Sequence, residues 1–164
     1  MSREAGRQDS TAALFLAMRE VLGSLHTFNQ SVGKPLGLNA VEFLCLDLVS
    51  RHEPITPGHL ADLCGLQPAT VTGVLDRLET SGWVKRERDA KDRRRVFVHA
   101  LRERAPELGH RLGGMRRALR EISEAYTEEQ LALILGFLNK AADAARAQAA
   151  ALRSADASTS HASG

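Results

Sequence analysis

The sequence predicts a mainly α-helical fold with one small β-hairpin near its middle. Three stretches of the 164-residue chain repeat apolar residues in alternating steps of four and three, which is typical of long helices packing side by side. Two shorter helical patterns are separated by a glycine-containing turn, and two segments that alternate with period two follow directly. Together these observations predict a winged helix-turn-helix lobe between N- and C-terminal helices.

The terminal helices are predicted from the three apolar stripes. The first stripe lies within residues 10–33 and the other two lie within residues 103–152, where Pro106 fits only the first turn of a helix. A capping box of Thr127 and Gln130 marks the start of the last helix. Because the stripes offer more apolar edge than one small lobe can cover, we expect a helical dimerisation region. The alternative is that all three stripes pack within one chain.

The predicted lobe, residues 38–101, begins after a break in which Pro35 and Gly37 interrupt the first helix. Asn39 and Glu42 resemble a capping box for the helix that follows.

The helix-turn-helix is predicted from capping and turn signals. A short helix is expected after the N-cap Thr56 and ends at Cys64. Gly65 opens a tight turn, and a second helix begins at Pro68 and ends near Ser81. The inward face of this second helix repeats apolar residues at helical spacing, namely Val71, Val74, Leu75 and Leu78.

The outward face of the second helix carries small and hydroxylated residues near its N-terminal end. Such a face can approach a DNA major groove closely, where threonine hydroxyls bond to base edges or phosphates and Arg77 can contact guanine or phosphate. The alternative for each residue is an ordinary solvated position. The candidate DNA contacts are Pro68, Ala69, Thr70, Thr72, Gly73 and Arg77.

The hairpin is predicted over residues 83–88 and 95–100, whose alternation turns four side chains inward: Val84, Val96, Val98 and Ala100. Its tip is too polar to pack, so we expect it to project into solvent. Residues 83–104 contain nine basic and four acidic side chains, so this segment carries +5 and the rest of the chain −3.

A projecting guanidinium suits the minor groove, where narrow A·T tracts concentrate negative potential. We expect Arg94 to be that probe and Asp92 to hold its guanidinium in a fixed direction. The candidate contacts of the hairpin are Arg88, Lys91, Asp92, Arg93, Arg94 and Arg95.

Residues 38–101, and more loosely the chain to Leu152, resemble the multiple antibiotic resistance regulator (MarR) family of bacterial winged-helix proteins. The resemblance lies in the second helix of the lobe, residues 71–79 with Gly82, and above all in the wing sequence Asp89-Ala90-Lys91-Asp92-Arg93-Arg94. It implies a homodimer formed by the terminal helices, with recognition helices in successive major grooves. It also implies Thr70, Thr72 and Arg77 at the major groove, and Asp92 with Arg94 at the minor groove.

Two departures from the family pattern affect these expectations. Gly73 stands where several relatives carry a base-contacting side chain, so strong discrimination at that base is not expected. Oxidant-sensing relatives carry a reactive cysteine in the first helix, and neither Cys45 nor Cys64 lies there. We therefore do not expect peroxide sensing by that route. Both cysteines lie in apolar helical patterns without the exposure and nearby positive charge typical of a redox sensor, and we expect a structural role for Cys64.

The resemblance also implies an effector crevice between the dimerisation helices and the lobe. The candidate effector contacts in this crevice are His26, Asn29 and Phe43. They offer polar groups beside an apolar surface, which suits a small aromatic or amphipathic effector. The alternative for His26 is a satisfied, partly buried side chain beside the apolar stripe.

The composition of the chain also limits where the protein is expected to lie in the cell and which other functions it could have. No apolar run approaches the ~18 residues of a membrane span, and the N-terminus lacks the apolar core of an export signal. We expect a cytoplasmic protein of one domain, residues 1–164, with a disordered tail over residues 153–164. The six histidines show no metal-ligand spacing, and no catalytic motif is present, so we expect neither a metal, nor a cofactor, nor an enzyme.

We therefore expect a DNA-binding transcriptional regulator, a repressor or sometimes an activator. It would bind a palindromic operator as a homodimer, with half-sites about one helical turn, ~10 base pairs, apart. The alternative is a winged-helix module that binds proteins, with the basic hairpin meeting an acidic partner.

Overall fold

The computed structural model describes the backbone of residues 2–161 and the side chains of residues 8–154. Two compact units are present, Met1–Leu44 and Cys45–Gly164, and the boundary between them falls inside a helix. In the first unit, nearly all described side chains before Phe28 are exposed and contribute little to a core.

The elements follow the predicted order, and the prediction of a mainly α fold with a small two-stranded sheet is confirmed. The structure has six α-helices in the part of the chain that it describes, together with short 3₁₀ turns at Lys34–Leu36 and Arg102–Arg104. The elements are α1 (Ser2–Gly33), α2 (Ala40–His52), α3 (Pro57–Cys64), α4 (Pro68–Thr80), β1 (Val84–Arg88), β2 (Val96–Ala100), α5 (Ala105–Ser123) and α6 (Glu128–His161).

The start of α2 is a reciprocal capping box, as predicted. The Oδ1 atom of Asn39 accepts a hydrogen bond from the Glu42 amide at 2.9 Å, and Oε2 of Glu42 accepts one from the Asn39 amide at 2.9 Å. Two backbone donors at the helix N-terminus are satisfied in this way. At the end of α1, a Cβ on Gly33 would lie 2.9 Å from the Leu38 carbonyl oxygen, so only glycine fits this approach.

The second unit is built around the predicted helix-turn-helix. The Thr56 hydroxyl caps α3 by accepting from the His59 amide at 3.3 Å. Gly65 ends that helix with φ +66°, a left-handed conformation that glycine adopts without strain. The predicted inward face of α4, residues Val71, Val74, Leu75 and Leu78, is fully buried. It forms a core together with buried residues of α2 and of the hairpin, namely Leu46, Val49, Trp83 and Val84.

The hairpin is an antiparallel pair in which Val84 faces Ala100 and Arg88 faces Val96. Val84 and Val98 are buried as predicted, whereas Val96 and Ala100 are only half-buried. Ile55 adds a bridge on the far side of β2, since its amide and carbonyl exchange hydrogen bonds with Val98 at 3.3 and 2.8 Å. The hairpin is therefore fixed to the segment that precedes α3.

The predicted capping box at α6 is also present, with the Thr127 amide donating to Gln130 Oε1 at 2.9 Å and the Gln130 amide to Thr127 Oγ1 at 3.3 Å. The helix continues to His161, so the expected tail from Arg153 is corrected over residues 153–161. No glycine or proline interrupts this alanine- and serine-rich stretch, and its composition is compatible with a helix. Residues 162–164 lie outside the described backbone.

None of the helices between residues 2 and 161 is long and apolar enough to cross a membrane.

Candidate nucleic-acid interface

The tip of the hairpin, residues 89–95, is a well-formed turn that exposes its cationic side chains. Its backbone closes through two hydrogen bonds, from the Asp89 amide to the Arg95 carbonyl at 3.0 Å and from the Arg95 amide to the Asp92 carbonyl at 2.9 Å. The side chains from residue 90 to residue 95 are exposed. The structure therefore places Lys91, Arg93 and Arg94 where a polyanion can reach them.

Asp92 shapes the backbone of this tip. Its Oδ1 atom accepts a hydrogen bond from the Arg94 amide at 3.1 Å, and Asp89 Oδ1 accepts one from the Lys91 amide at 2.8 Å. Both are Asx turns, in which a side chain two residues earlier satisfies a backbone donor. Within the described side chains, residues 8–154, Asp92 forms no ion pair with Arg94. The Asp92 carboxylate thus contacts the Arg94 backbone, and a role for it in directing the Arg94 guanidinium stays a prediction.

Arg95 and Arg88 occupy the base of the tip. The Arg95 guanidinium carbon lies 5.2 Å from the centre of the Phe97 ring, a cation–π contact that restrains it beside β2. Arg88 is exposed at the end of β1. Among the six predicted contacts of the hairpin, these two carry charge nearer to the body of the lobe.

The outward face of α4 has the predicted composition. Pro68 occupies the first helical turn, where its missing amide costs nothing, and the N-cap residue Gln67 makes no side-chain cap. Backbone amides at Ala69 and Thr70 belong to the helix N-terminus, whose donors favour anions. Both side chains are exposed.

Thr72, Gly73 and Arg77 continue this face toward the C-terminus of α4. The Thr72 hydroxyl donates to the Pro68 carbonyl at 3.0 Å, which leaves its oxygen lone pairs available to a donor. Arg77 is exposed, and its Nη1 atom lies 3.7 Å from where a Cβ on Gly73 would stand. The guanidinium therefore reaches back over Gly73, because the glycine offers no side chain of its own.

Arg86, which the sequence reasoning did not single out, links the hairpin to α4. Its Nη1 atom donates to Asp76 Oδ1 at 2.6 Å and to Glu79 Oε2 at 3.0 Å, and its Nη2 atom donates to the Thr72 carbonyl at 3.2 Å. The Arg86 amide also donates to Glu79 Oε1 at 2.8 Å. One guanidinium thus joins β1 to three residues of α4. These contacts fix the orientation of the hairpin relative to α4. The only sequence signal is an acidic pair on α4, which alone does not identify the partner.

The base of the wing is held by Arg104. Its guanidinium carbon lies 3.7 Å from the centre of the Trp83 ring, and Nη1 donates to the Ser81 carbonyl at 2.9 Å. Hydrogen bonds from Arg104 also lower the pKa of the Glu107 carboxyl and raise that of Arg104 itself. Arg104 is therefore a structural cation, and its charge is neutralised locally.

The three predicted effector contacts all lie in the first unit. Phe43 is only 4% exposed and its Cβ lies 3.5 Å from the position of a Cβ on Gly33, so it belongs to the core at the end of α1. Asn29 is half-buried. His26 is exposed, with its Nε2 atom 2.8 Å from Nε2 of Gln30 one helical turn later. Phe43 is therefore a packing residue in this structure, and an effector role for all three residues stays a prediction.

Among the side chains of residues 8–154, no group of three or more histidine, cysteine, aspartate or glutamate residues is arranged to hold a metal ion.

Comparison with known proteins agrees with this geometry. Residues 38–96 match the sequence model of the MarR family. Over 116 residues the chain is 35% identical to an uncharacterized HTH-type transcriptional regulator, YcgE, of Bacillus subtilis (strain 168), and the match covers 71% of this chain and 75% of the relative.

Two solved structures show the same fold. The transcriptional regulator BldR from Sulfolobus solfataricus superimposes with a TM-score of 0.58 and 28% identity, over 80% of this chain and 96% of that one. A crystal structure of MarR gives a TM-score of 0.56 and 25% identity over the same shares of the two chains. Members of this family regulate transcription and are not enzymes, which confirms that prediction. The chain belongs to the MarR family and is a DNA-binding transcriptional regulator.

Proposed function

We propose that the protein represses transcription as a homodimer that binds a palindromic operator, with α4 in the major groove and the wing in the minor groove. The observation that carries the proposal is the link through Arg86 between the exposed face of α4 and the exposed cationic tip. A helix and a wing held in one geometry can contact adjacent grooves together. Within this arrangement Arg94 is the minor-groove probe, and Thr70, Thr72 and Arg77 are the major-groove contacts.

The apolar surfaces of the terminal helices support the homodimer. Large apolar side chains remain exposed on α1 in the first unit and on α5 and α6 in the second: Leu14, Val21, Leu25, Leu119, Ile122, Leu135 and Leu138. Monomeric proteins rarely expose contiguous apolar stripes of this kind. A second copy of the same helices covers them with matching chemistry, since a twofold interface brings each patch onto its own equivalent.

The experiment that tests this proposal is selection from a random pool of DNA duplexes with the purified full-length protein. Because two related recognition helices would enter successive major grooves, the enriched duplexes should share an inverted repeat with half-sites about 10 base pairs apart. Footprinting on one selected duplex should then protect both halves, with the minor-groove contacts of the two wings flanking them.

Failure of the selection to enrich any common sequence would contradict the proposal. Enrichment of a single unrepeated half-site would contradict its dimeric part alone. The alternative function, a winged helix that binds an acidic protein, would give weak binding to all duplexes without a preferred sequence.

The proposal includes release of the operator by a small aromatic or amphipathic effector. Its support is the resemblance to ligand-responsive relatives together with the polar side chains of His26 and Asn29 on α1. Titrating benzoate-type acids into the complex with the selected duplex tests it directly. Release by such a compound, reduced in Asn29→Ala, is the expected result, and the absence of release by every member of a broad panel would contradict it.

A further inference from the structure

Two cysteines that are far apart in sequence meet beneath the helix-turn-helix. The Sγ atoms of Cys45 on α2 and Cys64 at the end of α3 are 3.5 Å apart. Cys45 is fully buried and Cys64 is half-buried. The structure thus pairs two thiols that the sequence placed in separate apolar helical patterns and did not indicate as redox sensors.

We propose that Cys45 and Cys64 form an intramolecular disulfide when the protein meets a hydroperoxide, and that this bond weakens operator binding. The first part concerns the thiols alone, and the second part rests on the proposed function. The site differs from the first-helix cysteine of oxidant-sensing relatives, since both thiols belong to α2 and α3.

The reaction balances with the hydroperoxide as the oxidant. The Cys64 thiolate attacks the peroxide oxygen, the O–O bond breaks, and the products are a Cys64 sulfenic acid and an alkoxide that takes up a proton to become an alcohol. The Cys45 thiol then loses its proton and attacks the sulfenic sulfur, which forms the S–S bond and releases water. Two thiols are oxidised by two electrons, and the hydroperoxide is reduced to alcohol and water.

Cys64 is the better nucleophile of the pair on two grounds. It is the more accessible sulfur, as the first attack requires. The hydrogen bond from Cys45 also lowers the pKa of the Cys64 thiol, against burial, which raises it.

Formation of the bond must bring the two sulfur atoms closer together. A disulfide holds its sulfurs ~2.05 Å apart, so the two must approach by about 1.5 Å from their present separation. Cys45 is embedded among fully buried residues of α2 such as Leu46 and Val49, whereas Cys64 is the last residue of the eight-residue helix α3. The less constrained side of the pair is therefore the end of α3 and the turn at Gly65, from which α4 begins at Pro68. Movement on this side would change how α4 enters the groove.

The thiol chemistry is tested by adding hydrogen peroxide to the reduced full-length protein and measuring its intact mass. Wild type should lose two hydrogen atoms per chain, reversibly with dithiothreitol, and should remain a single chain on a non-reducing gel. Cys45→Ser should stop at a sulfenic acid that dimedone traps, and Cys64→Ser should be the least reactive. An unchanged mass, or a disulfide only between chains, would overturn the proposal.

The consequence for DNA is tested on the selected duplex. Oxidised wild type should bind at least about tenfold more weakly than the reduced protein, and dithiothreitol should restore binding. The double variant Cys45→Ser, Cys64→Ser should bind like reduced wild type with or without peroxide. A disulfide that forms while affinity stays unchanged would overturn the switch. Absence of specific binding by the reduced protein would instead overturn the proposed function, because the mass measurement does not depend on DNA.

Discussion

At the tip of the hairpin, the side chains of Asp92 and Arg94 have different surroundings in the structure. The Asp92 carboxylate accepts from the Arg94 amide, while the Arg94 side chain remains exposed. The carboxylate therefore stabilises the turn of the backbone, and the guanidinium remains exposed for the minor-groove contact proposed for it. Each task predicts a different response to substitution.

Replacing Arg94 by alanine should weaken binding to the selected duplex by about 1–3 kcal/mol, because it removes a guanidinium contact from the minor groove. Fluorescence anisotropy at fixed salt measures the change. The matched control is Arg51→Ala, which removes the same charge from an exposed ion pair with Asp47 on α2. Equal affinities for Arg94→Ala and wild type would show that the wing does not contact DNA.

Replacing Asp92 by alanine should weaken binding by about 1 kcal/mol, the typical contribution of one hydrogen bond. Asp92→Asn should restore most of the affinity, because its side-chain oxygen can still accept from the Arg94 amide. A carboxylate that acted by charge on the guanidinium would not be rescued by asparagine. The same anisotropy titration therefore separates the two roles.

Among the elements, the junction between β1 and α4 determines how the wing stands relative to the recognition helix. Arg86 is the partly buried centre of that junction, with two carboxylates and a backbone carbonyl as acceptors. Its loss leaves Asp76 and Glu79 facing each other without a counter-charge.

Arg86→Met should lower the free energy of unfolding by about 1–2 kcal/mol, because charge-assisted hydrogen bonds are lost while most of the side-chain volume is kept. Affinity for the duplex should fall as well, even at temperatures where the variant is fully folded. Urea unfolding and anisotropy measure the two effects. Lys85→Met, which breaks an exposed ion pair on the same strand, should change stability by less than about 0.5 kcal/mol. If both variants behaved alike, the junction would have no special role.

Sequence signals that act over a few residues predicted the helices and strands well. Contacts between residues that are far apart in the sequence could not be predicted in this way. The N-cap at Thr56 and the glycines at 65 and 82 mark helix ends through backbone rules that act within a few residues. The bridge of Ile55 to β2, the Arg86 junction and the Cys45–Cys64 pair each join positions that only the folded chain brings together. The end of α6 is predicted too early because a sequence poor in large apolar residues is typical of a tail, although this one contains no helix-breaking glycine or proline before His161.

For the whole molecule, the exposed apolar stripe of α6 is a surface that the proposed second copy would cover. Leu135 and Leu138 are 59% and 50% exposed and lie on one helical face. Leu133 is 77% exposed and lies on the opposite face.

Introducing aspartate at both Leu135 and Leu138 should raise the dimer dissociation constant at least about 100-fold, because two charges would have to be desolvated in the interface. Sedimentation velocity across a range of concentrations measures it. Leu133→Asp places the same charge outside the stripe and should leave the dimer intact. A wild-type protein that sediments as a monomer throughout would exclude the dimeric account.

The measurement that tests the central claim most directly is the affinity for the selected duplex as a function of salt concentration. A dimer whose helices and wings neutralise about six or more phosphates predicts that log K falls against log salt with a slope of about −5 or steeper, near −0.9 for each phosphate contacted. Scrambled duplexes should show a similar slope at much lower affinity, since base contacts add specificity to a shared electrostatic background. A slope near zero, with equal affinity for selected and scrambled duplexes, would contradict recognition of DNA by this helix and wing.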